Sequence, residues 1–143
     1  MLACGTAYAQ TDAYPNKPIR VVVPWPAGGV ADVVLRVISP KLESELGQAI
    51  VIENKPGAGG VIGDDFVAKA PQDGYTLLFT SSAVNMNIAI GRKMPYDLDR
   101  DLVPMMNVAW APMILVATPS LNFKDTRELV AQARANPGKL SYA

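Results

Sequence analysis

The chain has 143 residues, half of them hydrophobic and 18% charged, with 13 basic residues balancing 13 acidic ones. That is enough to bury a sizeable core within one domain, and it leaves no electrostatic footprint for nucleic acid or an anionic membrane surface. With no histidine and a single cysteine, Cys4, zinc clusters, Ser-His-Asp triads and Cys-His dyads cannot be assembled, which removes most hydrolases and leads us to expect neither a metal nor an organic cofactor.

Residues 1–13 open small and apolar, and Ala7-Tyr8-Ala9 before Gln10 has the A-x-A form of a signal-peptidase site. The segment reads either as the remnant of an export signal or as a disordered tail. Tyr14 to Pro18 is a stiff, extended lead-in, because proline fixes its own φ and pushes its predecessor toward extended backbone. Ile19 to Pro24 (IRVVVP) is predicted as the first strand, emptying through Trp25-Pro26-Ala27-Gly28-Gly29 onto a helix start. Such a junction points several backbone N–H groups at one place, and the helix dipole favours negative charge there, so it is a candidate seat for a carboxylate or phosphate.

Val30, Val33, Val34, Val37, Ile38, Leu42 and Leu46 recur at helical spacing, which predicts an amphipathic helix kinked at Pro40 and ended by Gly47. Ala49 to Glu53 reads as a second strand, Lys55 to Gly60 as a glycine-rich turn, and Val61 to Ala70 as a second helix closed by Pro71. After the Asp73-Gly74 turn, Tyr75 to Thr80 is a continuous apolar run, as expected of a strand buried on both faces of a parallel sheet. It opens into a polar loop, Ser81-Ser82-Ala83, and in open α/β sheets ligands sit outside the carboxyl ends of the strands. Both loops should therefore share one sheet edge.

Further on, Met105 to Ala109 and Met113 to Ala117 look like two strands. The apolar stretch Val108 to Ala117 contains Pro112 and is too short to span a bilayer, so the chain is not expected to be membrane-embedded. A last helix is punctuated by Asp125 as cap, Glu128 three residues on, inward-facing Leu129, Val130 and Ala133, and an Asn136-Pro137-Gly138 stop. Leu140-Ser141-Tyr142 reads as the start of another strand, which suggests a fragment of a longer protein.

Several candidates have two readings. Asp32 lies in the first helical turn, where the dipole alone favours an acid, or else it faces a ligand's ammonium or hydroxyl group. Ser81 and Ser82 have no local base to activate them and are better hydrogen-bond donors than nucleophiles. Trp25 is either core or an aromatic wall over the pocket. Gly57 to Gly63 follows a strand and precedes a helix, but its spacing departs from G-x-G-x-x-G, and no G-K-[ST] occurs in the chain.

Five segments in register, Tyr14–Asp32, Leu46–Gly63, Ala70–Ser82, Met94–Pro104 and Ala135–Ala143, resemble the successive signatures of Bug-type receptors, the periplasmic solute-binding proteins of tripartite tricarboxylate transporters. The resemblance implies a flytrap-like α/β binding protein with a mostly parallel sheet flanked by helices. It implies a first lobe over 14–112, incomplete here, and a crossover strand with the start of a second, mostly missing lobe over 113–143. It also implies a non-enzymatic receptor for a small carboxylate (a di- or tricarboxylate, an aromatic acid or an acidic amino acid), handed to membrane permease subunits. Trp25, Ala27, Gly28 and Gly29 would then form the first ligand loop and Thr80, Ser81 and Ser82 the second, with Asn85 or Asn87 reaching in. Family members often carry phenylalanine at the position of Trp25 and glycine at that of Ala83, so the ligand's size is left open. Two alternatives stand beside this reading: the ligand-sensing half of a transcription regulator, and a non-functional remnant.

Overall fold

A computed structural model describes residues 13–112 and 114–141. The export-signal reading of residues 1–12 and the strand reading at Tyr142 fall outside the described residues. The chain divides into two compact units, 1–108 and 109–143, each taken here by itself.

The first unit is a three-stranded parallel sheet in the order β2-β1-β3. β1 is Ile19–Val23, β2 Ile50–Asn54 and β3 Thr76–Leu78. β1 stops one residue short of the predicted end because Pro24 has no N–H to give to a ladder. The sheet register pairs Val23 with Asn54 and Val22 with Leu78, so the segments leaving β1, β2 and β3 emerge at one edge.

Helix α1, Val30–Leu46, links β1 to β2, and α2, Val61–Ala68, precedes β3. Stepping from β1 out to β2 and then back across β1 to β3 with right-handed crossovers puts these helices on opposite faces, and the packing agrees. Leu35 and Ile38 of α1 lie against Ile19, Val21, Val23 and Ile50. On the other face Gly63 of α2 sits so close to Pro24 and Lys55 that an added Cβ would fall 2.8 Å from Pro24 Cβ and 2.9 Å from the Lys55 carbonyl oxygen. α1 ends as predicted, with Gly47 in the left-handed region donating its N–H to the Glu43 carbonyl. It runs through Pro40, which removes the bond to the Arg36 carbonyl; the Ser39 hydroxyl donates to that carbonyl instead, at 3.3 Å.

Three expectations are corrected, and two short helices are added to those expected. The buried face of α1 is not the one its Val/Leu spacing marks: Leu35 is buried, while Val30, Val33 and Val37 are exposed. β3 is shorter than Tyr75 to Thr80, and it is half-buried, because it is an edge strand paired only with β1. Ala83–Ala89 and Leu98–Asp101 form short helices, α3 and α4. α4 is capped by the Asp97 carboxylate, which accepts from the Asp99 and Arg100 amides. Neither Met105 to Ala109 nor Ile114 to Ala117 is a strand, and Met113, where the second predicted strand begins, lies outside the described residues; both runs lack regular secondary structure and are exposed, with Met105 and Leu115 about three-quarters exposed. A strand exists only through ladder bonds to a neighbour, and these runs find none among the described residues.

A second cluster, Val61, Val84 and Tyr96 with Met94, Leu98 and Leu102, ties α2, α3 and α4 together. The second unit holds α5, Thr126–Ala135. Its capping box forms as the sequence predicts: the Glu128 amide donates to the Asp125 carboxylate at 2.9 Å, and the Glu128 side chain accepts from the Lys124 amide at 2.7 Å. Its apolar face is uncovered: Leu129 is half-buried, while Val130 and Ala133 are exposed.

Candidate functional site

Three loops meet where the parallel strands end. The loop after β1 (24–29) and the segment after β3 (79–82) are neighbours because the Phe79 amide donates to the Val22 carbonyl, carrying the pairing to the strand's end. The glycine turn after β2 leans over from the other side. A Cβ on Gly60 would touch the Trp25 ring at 3.5 Å and the Asp64 carboxylate at 3.6 Å.

In the first loop, Ala27 and Gly28 are exposed and Gly29 caps α1 in extended backbone. Gly28 has φ +82°, and there is open space where a side chain would project, so backbone conformation rather than crowding requires glycine. The amides of Gly28 and Gly29 are both engaged internally, Gly28 with the Asp32 carboxylate at 2.9 Å and Gly29 with the Pro26 carbonyl at 3.2 Å. Among the described residues, the amides of Ala27, Val30 and Ala31 have no internal acceptor. These are the donors that the loop and the first turn of α1 offer to an anion.

Asp32 lies under this loop. It is 2% exposed. One carboxylate oxygen accepts from the Gly28 amide and from Arg36 Nε at 2.8 Å, and the other accepts from Asn54 Nδ2 at 3.0 Å. The Arg36 guanidinium first, then the Gly28 amide and the Asn54 side chain, hold its carboxyl well below the usual carboxylate range. Burial works in the opposite direction and is outweighed by these three donors. A carboxylate with this many donors is spent on the loop, which is the structural reading of its place in the first turn.

Trp25 is half-buried. Its ring packs against the β1–α1 core, and its indole N–H is buried with no acceptor among the described residues. Thr80 follows β3, with a buried hydroxyl that makes no aligned hydrogen bond, while Ser81 and Ser82 are exposed. The Ser81 hydroxyl accepts weakly from the Ala83 amide at 3.4 Å. Asn87 is 8% exposed and points to the glycine turn: its Nδ2 donates to the Gly59 carbonyl at 3.0 Å, and its Oδ1 accepts from Arg92 at 3.2 Å. It holds that loop to α3. Asn85 is exposed on the same helix.

Sequence reasoning missed Asp64, Tyr96, Asn54 and Arg36. Asp64, in the first turn of α2, is 1% exposed; the Tyr96 hydroxyl donates to one of its oxygens at 3.0 Å, and the other has no aligned partner. Burial pushes its carboxyl up, against the opposing influence of Tyr96 and the nearby Thr80 hydroxyl. An Asp four residues after a glycine turn looks in sequence like any dipole-favoured acid, and only the later segment Met94-Pro95-Tyr96 reveals the partner. A cavity of about 580 Å³ lies elsewhere, on the α2 face by Arg20, Lys55 and Phe66. Its cations are already paired, Arg20 and Lys55 with Glu53 and Lys69 with Asp65. Among the described residues there is no group of three or more metal-ligating side chains, and no helix is long and apolar enough to cross a membrane.

The family described as tripartite tricarboxylate transporter family receptor matches residues 34–143, and the chain belongs to it. Protein BugT of Bordetella pertussis is 42% identical over 139 residues, covering 96% of this chain and 43% of that protein. A solved structure described as a periplasmic transporter is 38% identical with a TM-score of 0.71, covering 91% of this chain and 44% of that one. Rpa4515 of R. palustris, solved with adipate, is 30% identical with a TM-score of 0.64, covering 89% of this chain and 43% of that one. The chain thus spans less than half the length of these relatives. Their fold likeness bears out the α/β binding-protein class expected from sequence.

Proposed function

We propose that this chain is the first ligand-binding lobe, with the start of the second, of an extracytoplasmic receptor. It would bind a small carboxylate in the periplasm and deliver it to the permease subunits of a tripartite tricarboxylate transporter. The observation that carries this reading is the set of unpaired amides at Ala27, Val30 and Ala31, beside Thr80 and the exposed Ser81 and Ser82 at one sheet edge. Those groups are neutral donors, and neutral donors suit a carboxylate that must be released again. Family membership and the adipate bound to a relative support the same ligand class. We place the boundary between the two lobes near residue 112. No nucleophile–base pair lies among the candidate residues, which fits a receptor rather than an enzyme.

The test is a titration of the full chain with succinate, malate, adipate, citrate, benzoate and glutamate, followed by tryptophan fluorescence, since Trp25 borders the loops. A saturable change with at least one of them is expected. Silence across the panel, with circular dichroism showing a folded protein, overturns the reading.

A further inference from the structure

The carboxylate of Asp32 is joined directly to the Gly28 end of the first loop and to Asn54 of the neighbouring strand, and through Asn54 to the Trp25 end. Asn54, the last residue of β2, donates through Nδ2 to the Trp25 carbonyl at 3.1 Å and to Asp32 Oδ1 at 3.0 Å. Asp32 Oδ2 takes the Gly28 amide at 2.9 Å and Arg36 Nε at 2.8 Å. Arg36 Nη2 closes the triangle on Asn54 Oδ1 at 3.5 Å. An asparagine has two N–H donors and one carbonyl acceptor, and here all three of those capacities are used. The loop is therefore gripped at its entry, through the Trp25 carbonyl, and at its exit, through the Gly28 amide. Both grips end on the same pair of side chains.

We propose that Asp32 and Asn54 are positioning residues that hold the Trp25–Gly29 loop in its ligand-ready shape before any ligand arrives. The assignment of a ligand to that loop rests on the carboxylate-receptor reading; the grip itself does not. Two consequences follow from the geometry. The Gly28 amide is withdrawn from the ligand, and the amides of Ala27, Val30 and Ala31 are left without an internal acceptor among the described residues. Arg36 lies one helical turn on and offsets the charge of Asp32, so an incoming anion meets no bare negative charge. A loop fixed in advance adds its donors without an ordering penalty on binding.

Amide hydrogen exchange of the full chain, read at Gly28, tests the grip without a ligand. Calorimetric titration with adipate and malate tests its effect on binding. The Gly28 amide should be protected in the wild type and exchange at least tenfold faster in Asp32→Ala. Asn54→Asp is nearly isosteric, but it removes both donors and faces the Trp25 carbonyl and Asp32 with a second carboxylate. It should weaken binding by tenfold or more, with partial recovery as the pH falls toward the carboxylate range and the added acid protonates. A merely packed Asn54 would tolerate that change and show no such pH profile. Asn54→Ala, which adds no charge, should cost less than Asn54→Asp. Equal Gly28 exchange in wild type and Asp32→Ala, or wild-type affinity in both folded Asn54 variants, overturns the proposal. If the wild type binds neither acid while Gly28 protection is still lost in Asp32→Ala, the receptor reading fails and the loop-holding role stands.

Discussion

Replacing Tyr96 by phenylalanine isolates the least comfortable group in the fold. Tyr96 and Asp64 are nearly fully buried, and among the described residues the tyrosine hydroxyl is the one aligned donor to the Asp64 carboxylate, at 3.0 Å. Phenylalanine keeps the ring and its packing against Val61 and Val84 but leaves that oxygen buried and unpaired. A hydrogen bond to an ionised group is worth about 1.5–3 kcal/mol, so the variant should lose about 2 kcal/mol at pH 8. The loss should depend on pH. Burial already raises the folded-state carboxyl above its ordinary value, and Tyr96 opposes that rise. A carboxyl raised in the folded state contributes stability below its unfolded pKa, and that contribution is lost as pH rises through the folded pKa. Removing Tyr96 lifts the folded pKa further, so the variant loses more over that climb. The gap between wild type and Tyr96→Phe should therefore be wide at pH 8 and shrink toward pH 4, as Asp64 takes up a proton in both. Tyr96 itself remains a donor throughout, because burial and then the neighbouring Asp64 raise its own pKa. Urea unfolding followed by tryptophan emission at the two pH values reads this directly. An equal penalty at both, or a larger one in acid, would refute the argument.

Gly63→Ala should destabilise by about 1–3 kcal/mol in the same assay, since the new methyl meets the backbone of Pro24 and Lys55 rather than a flexible side-chain end. Gly28→Val should cost roughly 1–2 kcal/mol for placing a β-branched residue at positive φ, and it should abolish the fluorescence response to carboxylates while circular dichroism stays native. Unchanged affinity would remove this loop from the site. Asp125→Ala should reduce the helical content of α5 and cost about 1 kcal/mol, since the cap accepts from the Glu128 amide; identical far-ultraviolet spectra would contradict it.

The parts of the fold that follow from local chemistry were legible in the sequence. The glycine that ends α1, the capping box of α5, and the strand-to-glycine junction after β1 each carry their cause within a few residues, whereas the Val/Leu spacing of α1 foretold the helix but not its buried face, which is built on Leu35. What failed depended on neighbours. Tyr75 to Phe79 is apolar enough for a central strand, but its burial is set by how many strands flank it, and sequence does not count them. Met105 to Ala117 shows the same limit more sharply, because apolar composition does not supply a ladder partner. At the site, the amides of both glycines read as anion donors have internal acceptors. Gly28 supplies its backbone angle, and its N–H is taken by an aspartate four residues later. That contact is local enough to be foreseen; the Asn54 grip spans 22 residues and comes into being only when β2 pairs with β1.

The same division explains how a site with so little charge can be specific in shape. Two of the loops at the sheet edge are held by side chains from the structure behind them: Asp32 and Asn54 hold the first, and Asn87 with Arg92 holds the glycine turn. The two charged anchors at the first loop, Asp32 and Arg36, are matched to one another and leave neutral amides and hydroxyls facing outward. Neutral donors bind an anion only as well as their geometry is fixed, because each misaligned N–H loses much of its hydrogen bond while the ligand still loses its hydration. On the receptor reading proposed above, spending buried charge on the loops rather than on the ligand would give a site whose affinity comes from arrangement. For that reason a one-atom change at Asn54 should weaken the seat more than removal of an exposed serine beside it.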